Sequence, residues 1–231
     1  MYLKQKDCIL YYELHGKGYP ILFLHGNGED HTYFRHQIDA FSDIYQVIVM
    51  DMRGHGNSTF GSQPLNFTLF AHDVLSLLDH ENIQTCHLYG FSDGGNTAIA
   101  LAMLEPKRFS KIILNGANLN FFGMKLLIQL ETAMAYMISR CAACCFKKYA
   151  RHSMILDLMV HHPSFRKEDL HSIPHEVLVL CGSNDMIKTK HSMLIASHLP
   201  KGRLLILPGN HFIAWKEYQA VNLQVKKFLE N

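Results

Sequence analysis

A serine, an aspartate and a histidine stand in separate loops of this chain, each in a setting suited to nucleophilic chemistry. Ser92 lies in Gly90-Phe91-Ser92-Asp93-Gly94-Gly95, a G-x-S-x-G stretch. A serine hydroxyl is a weak nucleophile until a base takes its proton and a third group orients that base. His211, in Pro208-Gly209-Asn210-His211-Phe212, is the candidate base, and Asp185, in Gly182-Ser183-Asn184-Asp185, the candidate acid. Serine, acid, histidine is one of the known chain orders for this geometry. Negative charge on a reacting oxygen also needs backbone donors. The N–H of Asp93, next after the serine, is one candidate, and the N–H of Asn27, in His25-Gly26-Asn27-Gly28, is the second. The chemistry expected of this set is acyl transfer to water, with no metal and no organic cofactor.

Such residues need a scaffold that delivers them to one place. Short apolar runs recur along the chain: Ile21 to Leu24, Val47 to Met50, Cys86 to Tyr89, Ile112 to Leu114, Val177 to Cys181 and Leu204 to Leu207. Most end at or within two residues of a glycine, and Val47 to Met50 ends at Asp51. Runs this short and apolar on both faces read as strands of a parallel sheet covered on two sides. Cys8 to Leu14 reads as a strand near the sheet edge. Between the strands, Phe67 to His80, Asn96 to Leu104, His191 to Leu199 and Ile213 to Leu229 carry apolar residues at helical spacing. Strand–helix alternation predicts an α/β fold with a mostly parallel, doubly wound sheet. Ser92, Asp185 and His211 then sit beyond the carboxyl ends of strands, where open sheets of this class hold their sites.

From Leu119 to about Pro174 the strand signal is absent and the sequence is helical. The expected division is a core of 1–118 and 175–231 with a small helical cap insertion at 119–174. Phe122, Leu126, Leu127, Leu130, Met134 and Met137 form an apolar stripe in it. Such a stripe is expected to pack onto its own domain and, in a cap, to roof the site.

The chain resembles the α/β-hydrolase family along almost its whole length. The likeness rests on the G-x-S-x-G turn, the His25-Gly26-Asn27-Gly28 loop, the two late loops and Asp51-Met52-Arg53-Gly54-His55-Gly56-Asn57-Ser58. In the family that last segment is a structural turn. The resemblance implies the nucleophile at Ser92, the acid at Asp185 and the base at His211. Some members carry the acid after the strand matching Ile112 to Leu114, but here that loop is Asn115-Gly116-Ala117-Asn118, without a carboxylate. The implied activity is that of a serine hydrolase, carboxylesterase-like (EC 3.1.1), on a small ester, thioester or amide. Perhydrolases, hydrolases of carbon–carbon bonds and receptors that keep the pocket share this pattern and remain alternatives.

Composition narrows the rest. The 231 residues include 22 Lys and Arg against 20 Asp and Glu, a formal charge of +2, which gives no reason to expect a nucleic-acid partner. Lys4, Lys6 and Asp7 break any apolar leader, and no uncharged apolar run is long enough to span a bilayer. A cytoplasmic protein without stable membrane insertion, acting on a small acyl substrate, is expected; oligomeric state is not legible. The 16 histidines include the pairs His161-His162, His171 with His175 and His191 with His198, but no H-E-x-x-H arrangement. They read as solvated side chains, with His25 as a brace for its own loop. Cys141, Cys144 and Cys145 lack a second cysteine pair and read as small helix residues.

Overall fold

The structure, a computed structural model, describes residues 1–230. In chain order it runs β1 (Tyr2–Lys4), β2 (Ile9–His15), β3 (Tyr19–Leu24), α1 (Arg35–Phe41), β4 (Tyr45–Met50), α2 (Phe67–His80), β5 (Cys86–Phe91), α3 (Asp93–Leu104) and β6 (Phe109–Asn115). There follow α4 (Leu126–Ala143), α5 (Lys147–His161), β7 (Glu176–Gly182), α6 (Thr189–His198), β8 (Lys201–Leu207), α7 (Ile213–Lys216) and α8 (Tyr218–Glu230). One eight-stranded sheet has the order β1-β2-β4-β3-β5-β6-β7-β8. β1 and β2 run antiparallel and the other six strands are parallel.

Strand side chains alternate between faces, which is why each apolar run feeds two cores. Leu22, Leu24, Ile48, Met50 and Leu88 point to a layer shared with α2, α3 and α6. Ile21, Phe23, Val47, Val49 and Tyr89 point to the opposite layer with Phe34, Phe41 and α8. The sheet is thus covered on both sides, as the sequence predicts. The Asp51–Ser58 turn is pinned by Arg53, whose guanidinium grips both oxygens of Asp73 on α2 at 2.8 Å and reaches Asp7 at 2.9 Å.

Several elements differ from expectation. The three residues of β1 are too few to show a period. α1 and the 3-10 turn His31–Phe34 before it carry no clear helical signal in so short a stretch. The C-terminal helix is broken at Glu217 into α7 and α8. The largest correction concerns α4. Its expected inward stripe faces solvent: Leu126, Leu127, Leu130, Met134 and Met137 are exposed, as is the preceding Phe122. The inward face is instead Gln129, Thr132, Tyr136 and Ser139. Gln129 Nε2 donates to Met124 O at 2.7 Å, tying this face to the turn before the helix. No helix is long and apolar enough to cross a membrane among the described residues.

Candidate active site

β5 ends at Phe91 and α3 begins at Asp93, leaving Ser92 alone on the corner. Its φ of 51° and ψ of −116° are strained for any residue with a Cβ. Two anchors hold it: Ser92 N–H donates to Asn115 O at 2.8 Å, and Asn96 N–H donates to Ser92 O at 3.0 Å. The flanking glycines are required by contact. A Cβ on Gly90 would sit 2.2 Å from Gly94 O, and one on Gly94 would sit 2.0 Å from Leu24 O. Strand, helix and the neighbouring β3 thus close on the corner, pushing the serine side chain outward.

His211 lies between the other two side chains. Its Nε2 is 3.0 Å from Ser92 Oγ and its Nδ1 is 2.6 Å from Asp185 Oδ1. Both His211 and Asp185 are buried, with Phe91 packed against the imidazole at 4.9 Å between centroids. Burial pushes the Asp185 carboxyl up, but hydrogen bonding and charge from His211, with N–H groups of Ile187 and Gly182, outweigh it and hold the group below its ordinary value. Asp185 is therefore a carboxylate at neutral pH, placed to accept a hydrogen bond from Nδ1–H.

The Gly26–Gly28 loop lies across from the serine. His25, fully buried, accepts Met52 N–H on Nε2 at 2.9 Å, which places its proton on Nδ1, 2.8 Å from Gly26 O. Burial, with His55 nearby, lowers its pKa to about 3, so it stays neutral. It is the expected brace. Asn27 Nδ2 donates to Asp93 Oδ2 at 2.8 Å and to Ile155 O of α5 at 3.0 Å. The backbone N–H groups of Asn27 and Asp93 donate to no protein acceptor among the described residues.

A narrow crevice opens at Ser92, lined also by Asp93, Asn118, Met124, Met159, His162, Met186 and Ile187. Its roof comes from α5 and Met124, not from the stripe on α4. Sequence reasoning missed Asn118, whose N–H donates to Asn96 Oδ1 and whose Oδ1 accepts from Asn96 Nδ2. It also missed Glu29, which accepts Gly26 N–H at 3.2 Å and whose carboxyl burial pushes up to about 7. Neither carries a motif; only three-dimensional proximity marks them.

Asp93 faces this crevice, and burial pushes its carboxyl up to about 6 against hydrogen bonds from Asn27 and Asn96. Its ordinary value is 3.8, so between the two the folded chain binds the extra proton. The associated stability is present below 3.8 and lost as pH rises through 6. Asp93→Asn removes that titration. Urea unfolding should show the variant gaining on the parent by about 1–2 kcal/mol between roughly pH 5 and pH 7.5. A constant difference across that range contradicts the assignment.

Asp30, His31 and Asp51 offer ligand atoms within 4.8 Å of one another. They are already committed: Asp51 accepts the backbone N–H of His31 and of Asn57 at 2.7 Å, and Asp30 caps the turn at Thr32. The histidine pairs of the sequence are engaged elsewhere. His191 Nε2 accepts Leu119 N–H at 2.9 Å, and the His171 and His198 rings stack at 5.6 Å.

Comparison with known proteins agrees with this fold. A family model described as the alpha/beta hydrolase fold matches residues 19–137. A putative carbamate hydrolase, RutD, of Azorhizobium caulinodans is 37% identical over 111 residues, 48% of this chain and 42% of that protein. 3-Oxoadipate enol-lactonase 2 of Acinetobacter baylyi is 34% identical over 113 residues, 48% of this chain and 42% of that protein. The chain thus spans less than half the length of these two curated relatives in the matched stretch. The crystal structure of a hydrolase from Pseudomonas aeruginosa superposes with a TM-score of 0.84 at 22% identity, covering 100% of this chain and 98% of that one. The nucleophile-type corner, the doubly wound sheet and the family match lead to one placement: this chain belongs to the α/β-hydrolase fold family.

Proposed function

We propose that the chain is a serine hydrolase that cleaves a small ester, thioester or amide through an acyl-enzyme. One observation carries this reading: His211 bridges the Ser92 hydroxyl and the Asp185 carboxylate in a single hydrogen-bonded line. Ser92 Oγ attacks the carbonyl carbon while His211 Nε2 takes its proton. Asp185 fixes the Nδ1–H tautomer and stabilises the imidazolium. The free N–H groups of Asn27 and Asp93 receive the oxyanion, helped by the amino end of α3. His211 returns the proton to the leaving group, and water repeats the sequence to release the acid.

Residues 119–174 act as the cap in this reading, with Met124, Met159 and His162 over the serine. The methionines suit an apolar acyl group, because a flexible thioether adapts its shape. The narrowness of the crevice favours a small one. The names of the two relatives, a putative carbamate hydrolase and an enol-lactonase, fit attack at an acyl carbon.

A fluorophosphonate probe tests the proposal. It should add covalently to the intact protein, with the label on the peptide holding Ser92. A protein that neither labels nor hydrolyses p-nitrophenyl acetate would be a binding protein on this fold, not an enzyme.

A further inference from the structure

Helix α4 wears its apolar face outside. Leu126, Leu127, Leu130, Met134, Met137 and Ile138 are each between 59% and 66% exposed. At about 100° per residue they fall on one arc roughly 120° wide that runs the length of the helix. Cys141, also exposed, lies within the same arc. The opposite arc, with Gln129, Thr132, Tyr136 and Ser139, is the one buried against the rest of the chain.

Six such side chains leave roughly 100 Å² each in water, on the order of 600 Å² of contiguous apolar surface. That is at or above the largest patch a typical monomer leaves uncovered, about 300–600 Å². A stable interface of standard size buries about 800 Å² per partner, so the stripe and its rim supply nearly that area. We propose that the stripe is an interface between two copies of this chain, α4 packing on α4 of the partner about a two-fold axis.

The chemistry of the stripe selects this occupant. A two-fold contact places one patch on itself, so the patch must be self-complementary. Aliphatic and thioether side chains meet that demand, since the arc holds no charge to confront its own copy. Homodimer contacts are also the more apolar class of interface. On α4 the stripe is flanked by Arg140 on one side and Glu131 on the other. That balance leaves the helix without the basic excess that holds amphipathic helices to anionic bilayers. A helix of 18 residues is about 27 Å long, enough for several turns of ridge-into-groove contact. The inference stands apart from the hydrolytic reading, because none of these six side chains lines the crevice at Ser92.

Sedimentation velocity of the full chain from about 1 to about 50 µM tests it, since a dimer is populated by mass action. The expected mass is twice 26.5 kDa at the upper concentrations. The double variant Leu130→Glu, Met134→Glu should sediment at 26.5 kDa throughout, with an unchanged far-ultraviolet circular dichroism spectrum. Leu126→Lys with Met137→Lys is the second variant, should the first fold poorly, and is expected to be monomeric too. A parent chain that stays monomeric at the highest concentration overturns the proposal. So does a dimer that persists in both folded variants, and so does a monomer that instead floats with phosphatidylcholine–phosphatidylglycerol vesicles.

Discussion

Ser92→Ala should lower kcat/KM toward an activated acyl ester by at least about 10⁴-fold, leaving only the slow attack of water. The change removes Oγ and nothing else near it. His211 keeps its contact with Asp185, and the free N–H groups of Asn27 and Asp93 keep their positions. Alanine has the same Cβ as serine, so the φ of 51° costs the variant what it costs the parent. Thermal unfolding should therefore move by no more than about 1 kcal/mol in stability. That pairing of lost rate with retained fold separates a nucleophile from a structural serine. Stopped-flow kinetics on p-nitrophenyl acetate would also lose the acyl burst. A variant that keeps a tenth of the parent rate places the nucleophile elsewhere.

Asp185→Asn should cost about 10³–10⁴-fold in kcat with KM little changed. Oδ1 of Asp185 accepts from His211 Nδ1 at 2.6 Å and from Ile187 N–H at 2.9 Å. The same oxygen takes both bonds, so an asparagine with its carbonyl there keeps them but loses the anion and turns its NH₂ toward Gly182 N–H; the flipped amide sets its NH₂ against Nδ1 and Ile187 N–H instead. A donor facing Nδ1 selects the tautomer protonated on Nε2, and that nitrogen can no longer take the serine proton. The imidazolium formed in attack also loses its countercharge. Asp185 does not line the crevice, so substrate binding should survive. Full activity in this variant would show that the acid has been misassigned.

The parts of this molecule readable in advance share a physical cause. β3, β4, β5 and β7 are covered on both faces, so their sequences are apolar without interruption. Gly90 and Gly182, in the last two residues of β5 and β7, then mark where these two strands near their loops. Those strand ends are where the chemistry stands, which is why Ser92, Asp185 and His211 could be proposed together. The stripe on α4 defeated the same logic. Periodicity tells which side chains share a helix face, not which way the face turns. The residues on the other arc are polar, yet Gln129, Thr132, Tyr136 and Ser139 are the buried ones, and Gln129 donates to Met124 O. Asn96, Asn118 and Glu29 were invisible for another reason. Their positions depend on chain segments far apart in sequence meeting at one turn, and asparagine and glutamate are ordinary loop and helix residues.

Asn27 joins three pieces of chain through one amide nitrogen: its own loop, Asp93 beside Ser92, and the Ile155 carbonyl in the roof. Any swing of α5 wide enough to admit a substrate from above breaks the last of these bonds. The loop would keep its bonds to His25, Glu29 and Asp93 but lose its tie to the roof. One side chain thus couples the position of the roof to that of the loop across from Ser92, so a change at Asn27 is felt by both.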